Sequence, residues 1–150
     1  MATLVKQVDL PYTPRQMFDL VADIESYPSF LRHVESARII RRIDNTLWVD
    51  QRIRIAILRA GFRTRAQLEP ASRIAIECAD HPLGTFTDVW TFRDGATGGT
   101  RLACRSDFEI RSILLRGPLT AVLGEVLSTT MRAFQARAKS LYGDGGKSDP

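Results

Sequence analysis

From Val34 to Arg111 apolar and polar side chains alternate with a period of two, and turn-forming clusters break the alternation every eight to fifteen residues or so. Asp44-Asn45, Ala60-Gly61, Pro70-Ala71-Ser72, Asp80-His81-Pro82 and Gly95 through Gly99 are the breaks, so this stretch reads as an antiparallel meander. Ile53, Ile55 and Ile57 are expected to face one way and Arg52 and Arg54 the other. Beyond the next turn, Phe62, Thr64, Ala66 and Leu68 oppose Arg63, Arg65 and Gln67. The apolar face continues with Ile74, Ile76 and Cys78, then Phe86, Asp88, Trp90 and Phe92, then Leu102, Cys104, Ser106, Phe108 and Ile110. One apolar and one wet face is what an antiparallel sheet covered on a single side requires.

Before the meander, residues 3 to 10 read as a strand that Pro11 stops. A helix follows, with Thr13 as its cap, Pro14 at its first position and Gln16 completing a capping box. Met17, Leu20, Val21 and Ile24 fall on one helical face. Glu25-Ser26-Tyr27-Pro28 interrupts it, because the residue before a proline is pushed out of the α region, and a turn with Phe30 and Leu31 comes next. After the meander, Gly117-Pro118 is expected to open a second helix. Leu119, Val122, Leu123, Val126, Leu127, Thr130, Met131, Phe134, Ala138 and Leu141 recur along it at three- and four-residue spacing, and Gly143 ends it.

At 1.5 Å per residue that helix is roughly 35 Å long, enough to cross six or seven strands. The fold class is therefore α+β: an antiparallel sheet of six to seven strands around a long C-terminal helix, one domain over residues 1–143. Asp144 to Pro150 is Gly-rich and charged and reads as a disordered tail. A long helix laid on a curved sheet touches it along a line, and the gap beside that line is the natural ligand site. Periodicity alone does not say whether the gap is filled by side chains or left empty.

Composition narrows the class further. Over 150 residues, 44% hydrophobic and 25% charged describe a globular chain with a single core. No stretch reaches the ~18 apolar residues a membrane span needs, and Met1 to Lys6 has no signal-peptide pattern, so a cytoplasmic chain is expected. Cys78 and Cys104 are too few and too far apart for a disulfide framework or a zinc knuckle. The net charge of +4 is carried almost wholly by arginine, which suits carboxylate or phosphate partners, although a genome that favours arginine codons accounts for it equally.

Few residues carry candidate chemistry. His33 and His81 are the only histidines and sit beside expected turns, where exposed or edge positions are the ordinary outcome. Asp88 falls on the apolar face with Phe86 and Trp90; either it is buried with a raised pKa, or a bulge near Gly84 turns it outward. Cys78, Asp80 and His81 have liganding atoms but lack further ligands nearby, so no metal is expected. No phosphate loop, dinucleotide fingerprint or nucleophilic triad is present. Arg52, Arg54, Arg59, Arg63 and Arg65 fall on two consecutive strands with no acid from Gln51 to Leu68, forming a basic stripe suited to solvent, acidic phospholipid or RNA phosphate, with no DNA partner expected. Ile113-Leu114-Leu115, between Arg111 and Arg116, is either core at the start of the helix or a greasy lip that touches the bilayer from the inner face of the membrane.

Three stretches carry a resemblance. Asp23 to Leu31, with its Tyr27-Pro28, resembles the segment after the first helix in the coenzyme Q-binding and ribosome-association-toxin family of START-like proteins, within the polyketide cyclase superfamily. His81 to Phe92 is similar to that family's Gly-Pro-Phe and Trp-x-Phe pattern, and Ala133 to Ala138 with Leu141-Tyr142-Gly143 to its C-terminal helix ending. Family members usually continue Tyr-Pro with Pro-Trp-Cys, where this chain has Arg32-His33-Val34, and His81-Pro82-Leu83 replaces Gly-Pro-Phe. The resemblance implies a helix-grip fold with an internal tunnel for a hydrophobic molecule. Some members bind ubiquinone and support respiration without catalysis; some bacterial members act as toxins on ribosomal subunit association.

On that basis the leading expectation is a non-enzymatic binder of ubiquinone or a related polyisoprenoid lipid, with no other cofactor. Tyr27 and Trp90 are expected to supply a donor and a flat wall for the ring, helped by Phe30, Phe62, Phe86, Val122 and Val126. The second expectation is a ribosome-associated regulator acting through the Arg52 to Arg65 stripe, and the third a cyclase-like enzyme dependent on Asp88.

Overall fold

Thr13 caps the first helix as its sequence implies: its Oγ1 accepts from the Gln16 amide at 3.1 Å, and the Gln16 side chain accepts from the Thr13 amide at 2.9 Å. The structure, a computed structural model, describes residues 2–55, 57–96 and 98–144. The expected tail therefore lies, beyond Asp144, outside the described residues. The strands are β1 (Ala2–Leu10), β2 (Val34–Ile43), β3 (Thr46–Ile55), β4 (Leu58–Glu69), β5 (Arg73–His81), β6 (Gly84–Asp94) and β7 (Thr100–Ile110), and the α-helices are α1 (Pro14–Ala22) and α2 (Ile113–Tyr142). All seven strands form one antiparallel sheet in the order β1-β7-β6-β5-β4-β3-β2, so the α1 crossover carries the chain from one edge to the other.

Three boundaries differ from the expectation. Helix α1 ends at Ala22, and Ile24–Ser29 is a separate 3-10 turn that contains Pro28. The hairpin between β3 and β4 turns near residue 57, not at Ala60-Gly61. Gly61 is a strand residue paired with Arg52, so glycine here marks no turn, and Ile57 projects from the hairpin tip, 94% exposed, instead of joining the face of Ile53 and Ile55. Helix α2 begins at Ile113 because the Ser112 side chain caps it, accepting from the Leu115 amide at 3.3 Å. Pro118 then sits inside the second turn, where it forfeits only one backbone hydrogen bond on an exposed stretch. The 30-residue helix is about 45 Å long.

Gly84 starts β6 where no other residue fits: a β-carbon would collide with the Glu109 carbonyl of β7. At the far end of α2, Gly143 adopts φ 80° and its amide bonds the Lys139 carbonyl at 2.9 Å. Tyr12 donates to the Gly143 carbonyl at 2.7 Å and Tyr142 donates to the Gln16 carbonyl at 3.1 Å, which fastens this end of α2 to α1. Leu141, expected on the apolar stripe, is half exposed, so the stripe ends at Ala138.

The main core lies at this fastened end, where Met17, Val21, Leu47, Val49, Ile74 and Phe134 are fully buried. A second, smaller apolar cluster of Phe108, Ile110 and Leu119 forms where α2 begins. The backbone of α2 comes closest to β1, β7 and α1 and stands off the middle strands.

Candidate ligand cavity

Where α2 stands off the sheet, a cavity of about 310 Å³ separates the two apolar clusters. Its mouth lies at the end of the sheet where two hairpins turn and α2 starts: Ile55 and Leu58 line it from the β3–β4 hairpin, Pro82 and Leu83 from the β5–β6 hairpin, and Leu119 and Val122 from α2. A shallower groove between Arg32-His33 and the α2 residues Ala121, Glu125 and Thr129 adjoins it, sharing His33, Val122 and Val126.

Of the seven residues expected to hold a ligand, six line the cavity and Phe30 does not. Phe30 stands behind the wall, against Tyr27 and Phe134 at 6.0 and 5.8 Å between ring centroids and under the Arg137 guanidinium at 5.3 Å. Tyr27 contributes a ring face, not the free donor expected of it, because its hydroxyl donates to the Val21 carbonyl. Burial, with Asp23 a smaller cause, drives that hydroxyl's pKa up, so it stays protonated. Trp90 is buried with its ring 5.3 Å from that of Phe134, edge on, and both form the deep wall. Phe62 and Phe86 meet edge to face at 5.8 Å nearer the β5–β6 hairpin, while Val122 and Val126 close the helix side.

The polar groups in this apolar wall are few. Asp88 stands in register between Ile76 of β5 and Ser106 of β7, and its side chain lines the cavity beside Trp90. The irregularity near Gly84 falls between Cys78 and His81 and does not turn Asp88 outward. Ser106 donates to Asp88 at 2.6 Å, and no ion pair involving Asp88 occurs among the described residues. Desolvation outweighs that hydrogen bond and pushes the Asp88 pKa up to about 6.

Both histidines are cavity residues, contrary to the exposed or edge placement expected of them. His81 is 9% exposed, packs 4.6 Å from the Phe62 ring, and accepts from the Leu83 amide at its Nδ1 at 3.1 Å. Burial lowers the pKa of both histidines; for His81 the nearby Arg111 adds to the effect and Asp80 opposes it. Cys78 is buried with its Sγ 3.6 Å from the Asp80 carboxylate, and among the described residues no group of three or more His, Cys, Asp or Glu is arranged to hold a metal ion. Alternation along β7 places Ser106 on the inner face; nothing local in the sequence signals that the two histidines turn inward.

The basic stripe is real in position but not unmatched in charge. Arg63 pairs with Asp50 at 2.7 Å, Arg65 with Glu77, and Arg59 with Glu35 at 3.7 Å. These acids lie on β3, β5 and β2, outside the acid-free segment. Arg52 and Arg54 are exposed on the same outer face, where Arg38 and Arg41 of β2 extend it, Arg41 over the Trp48 ring at 5.4 Å. At the mouth, Ile113, Leu114 and Leu115 form the exposed first turn of α2, with Ile113 80% and Leu114 88% exposed; the core alternative for them is excluded. Arg111 donates to the His81 and Pro82 carbonyls at 2.9 and 3.0 Å, and Arg116 donates to the Ile110 carbonyl at 3.2 Å, so both guanidinium groups are held beside that apolar turn. Among the described residues no helix is long and apolar enough to cross a membrane.

Known proteins share this architecture. The Zhui aromatase/cyclase from Streptomyces sp. R1128 superposes with a TM-score of 0.87 at 18% identity, over 97% of this chain and 99% of that one. A START superfamily protein from Mycobacterium smegmatis does so with a TM-score of 0.83 at 16% identity, over 93% and 98%. In sequence, the ribosome association toxin RatA of Pseudomonas aeruginosa is 27% identical over 134 residues, 89% of this chain and 93% of the relative. The mitochondrial coenzyme Q-binding protein COQ10 homolog B of Xenopus laevis is 22% identical over 139 residues, 89% of this chain and 57% of the relative. The sequence profile of the polyketide cyclase / dehydrase and lipid transport family matches residues 10–135, and with the helix-grip architecture this makes the chain a member of that family, of START-like form.

Proposed function

We propose that this protein is a non-catalytic binder of a lipophilic ring compound, a ubiquinone-like polyisoprenoid being the ligand class that fits best, and that it serves respiration by holding such a molecule out of the bilayer. The observation that supports this reading is the apolar cavity between α2 and the middle strands. Its 310 Å³ lies at the low end of small-molecule sites, ~300 to 1,000 Å³. That volume suits a substituted ring with its first prenyl unit; the rest of a long tail leaves by the mouth and the adjoining groove. Each CH₂ taken from water is worth ~0.8 kcal/mol, but a membrane supplies the same gain, so selectivity resides at the ring end. The apolar turn Ile113 to Leu115, flanked by Arg111 and Arg116, suits a brief contact with an anionic bilayer during exchange.

Organic extraction of the purified protein, followed by mass spectrometry of the extract, tests this reading. Wild type is expected to yield a prenylated ring compound near one per chain. Val126→Trp, which fills the cavity from the helix side, is expected to yield almost none while keeping its circular dichroism. An extract no richer than that of an unrelated control protein overturns the proposal.

A second reading rests on the RatA relatives and on the Arg-rich outer face of β2 to β4: association with ribosomal subunits through phosphate contacts. Co-sedimentation with subunits in low salt, lost when Arg52, Arg54, Arg63 and Arg65 are changed to Gln, is its expected result. Absence of wild-type co-sedimentation counts against it.

A further inference from the structure

Three hydroxyl groups of the deep wall are already turned toward the protein. Tyr27 donates to the Val21 carbonyl, Thr130 to the Val126 carbonyl at 2.8 Å, and Ser106 to Asp88 at 2.6 Å. Each can only accept from a ligand, and Asp88 adds the strongest acceptor of the set, a carboxyl whose second oxygen has no protein partner among the described residues. A carbonyl oxygen brought against Asp88 and these three hydroxyls meets lone pairs; a ring hydroxyl meets a partner. We propose that this cavity selects a ring that carries a hydrogen-bond donor, a phenol or hydroquinone, over the corresponding quinone, with Asp88 as the acceptor and Ser106 as the residue that positions it.

The inference rests on the lipophile-binding reading above and sharpens it. A ring hydroxyl needs one acceptor and leaves the rest of the ligand apolar, as the wall of Tyr27, Phe86, Trp90 and Phe134 requires. An alkylammonium group would need several oxygens to replace its water, and among the described lining residues Asp88 with Ser106 is the one hydrogen-bonded carboxylate-hydroxyl pair. At neutral pH the Asp88 carboxyl is mostly ionised, so the hydroxyl-carboxylate bond is charge-assisted and of the stronger kind. The Gln51 amide donates to the Thr64 hydroxyl at 3.4 Å, and the lining also carries donors in the hydroxyls of Thr64 and Thr85, the indole of Trp90, the imidazoles of His33 and His81 and the Arg59 guanidinium; all serve a hydroxyl oxygen as well as a carbonyl, so they do not discriminate.

The test is anaerobic calorimetric titration of the full chain at pH 7.5 with decyl-ubiquinone and with its two-electron-reduced quinol. Wild type is expected to bind the quinol at least about tenfold more tightly. In Asp88→Asn, whose amide offers both donor and acceptor, the ratio is expected to fall to about one while both forms still bind. Ser106→Ala keeps the carboxylate without its positioning partner and is expected to weaken quinol binding several-fold with little change for the quinone. Equal affinity in wild type, tighter quinone binding, or an undiminished preference in Asp88→Asn overturns the inference and leaves the lipophile reading standing. Binding of neither form by folded wild type overturns both.

Discussion

Asp88 is the residue on which the chemistry of the cavity turns, and its titration is written into stability. Its pKa rises from 3.8 to about 6 on folding, so between those values the folded chain holds a proton that the unfolded chain has released. Asp88 therefore favours the folded state less and less as pH rises from about 4 to about 6, and its effect levels off above that. At ~1.4 kcal/mol per pH unit the ceiling is roughly 3 kcal/mol, and less in practice because the carboxyl opens onto the cavity. His33 and His81, whose pKa values are lowered, act the other way, destabilising the fold as pH falls through the ordinary histidine range. A difference measurement separates the two. In urea unfolding, Asp88→Asn should gain on wild type by up to roughly 3 kcal/mol between pH 4 and pH 7; a pH-independent difference contradicts the burial of the carboxyl.

Phe134 shows the same contrast between inside and outside for apolar residues. It is fully buried against Tyr27, Phe30 and Trp90, so Phe134→Ala is expected to cost ~3 to 5 kcal/mol. Leu114→Ala, on the exposed turn, is expected to change stability by less than about 0.5 kcal/mol. Chemical denaturation of both variants checks the pair.

At the scale of elements, α2 depends on the cap that starts it. Ser112→Ala is expected to cost about 1 kcal/mol in thermal or urea unfolding and to fray the turn that carries Ile113 to Leu115; no loss of stability would mean that the cap does not hold that turn. Gly84→Ala is expected to cost about 2 kcal/mol or more, since its β-carbon collides with the Glu109 carbonyl; a neutral result in the same assay would contradict the close approach of β6 and β7.

What was legible in the sequence follows from range. The two-residue period marks every strand from Val34 to Ile110 because side-chain direction in a strand is local, and it put Asp88, Trp90 and Ser106 on the inner face correctly. The capping box of α1 and the glycine that ends α2 are equally local. The start of α2 was misplaced because Gly117-Pro118 is a strong local signal, while the cap at Ser112 competes with it only through a side-chain bond. The acids that neutralise Arg59, Arg63 and Arg65 were hidden because register joins residues of different strands. The Tyr27 hydroxyl was assigned to a ligand because its true acceptor, Val21, is reached only when the 3-10 turn folds back on α1.

The whole molecule is fastened at one end and open at the other. Tyr12 and Tyr142 tie α2 to α1 over a closely packed core, whereas at the start of α2 only a small cluster of Phe108, Ile110 and Leu119 touches the sheet. Helix α2 stands off the middle strands, and the side chains between them leave part of the gap unfilled. Such a cavity lowers stability relative to a filled one. Val126→Phe is therefore expected to leave Tm unchanged or raise it by a few degrees while reducing uptake of decyl-ubiquinone. A large fall in Tm would show that the space is already occupied by side chains. The departures from the family pattern at Arg32-His33 and His81-Pro82-Leu83 fall at this open end, so differences in ligand choice among relatives are expected to arise there.

The most direct measurement is native mass spectrometry of the freshly purified chain, compared with Val126→Trp under the same gentle ionisation. Wild type is expected to carry an adduct of one defined lipophilic mass, or to take up one equivalent of decyl-ubiquinone when stripped, and the filled variant to fly bare. A wild-type chain that stays bare even with excess quinone would show that α2 and the sheet enclose no usable volume, and would overturn the carrier role.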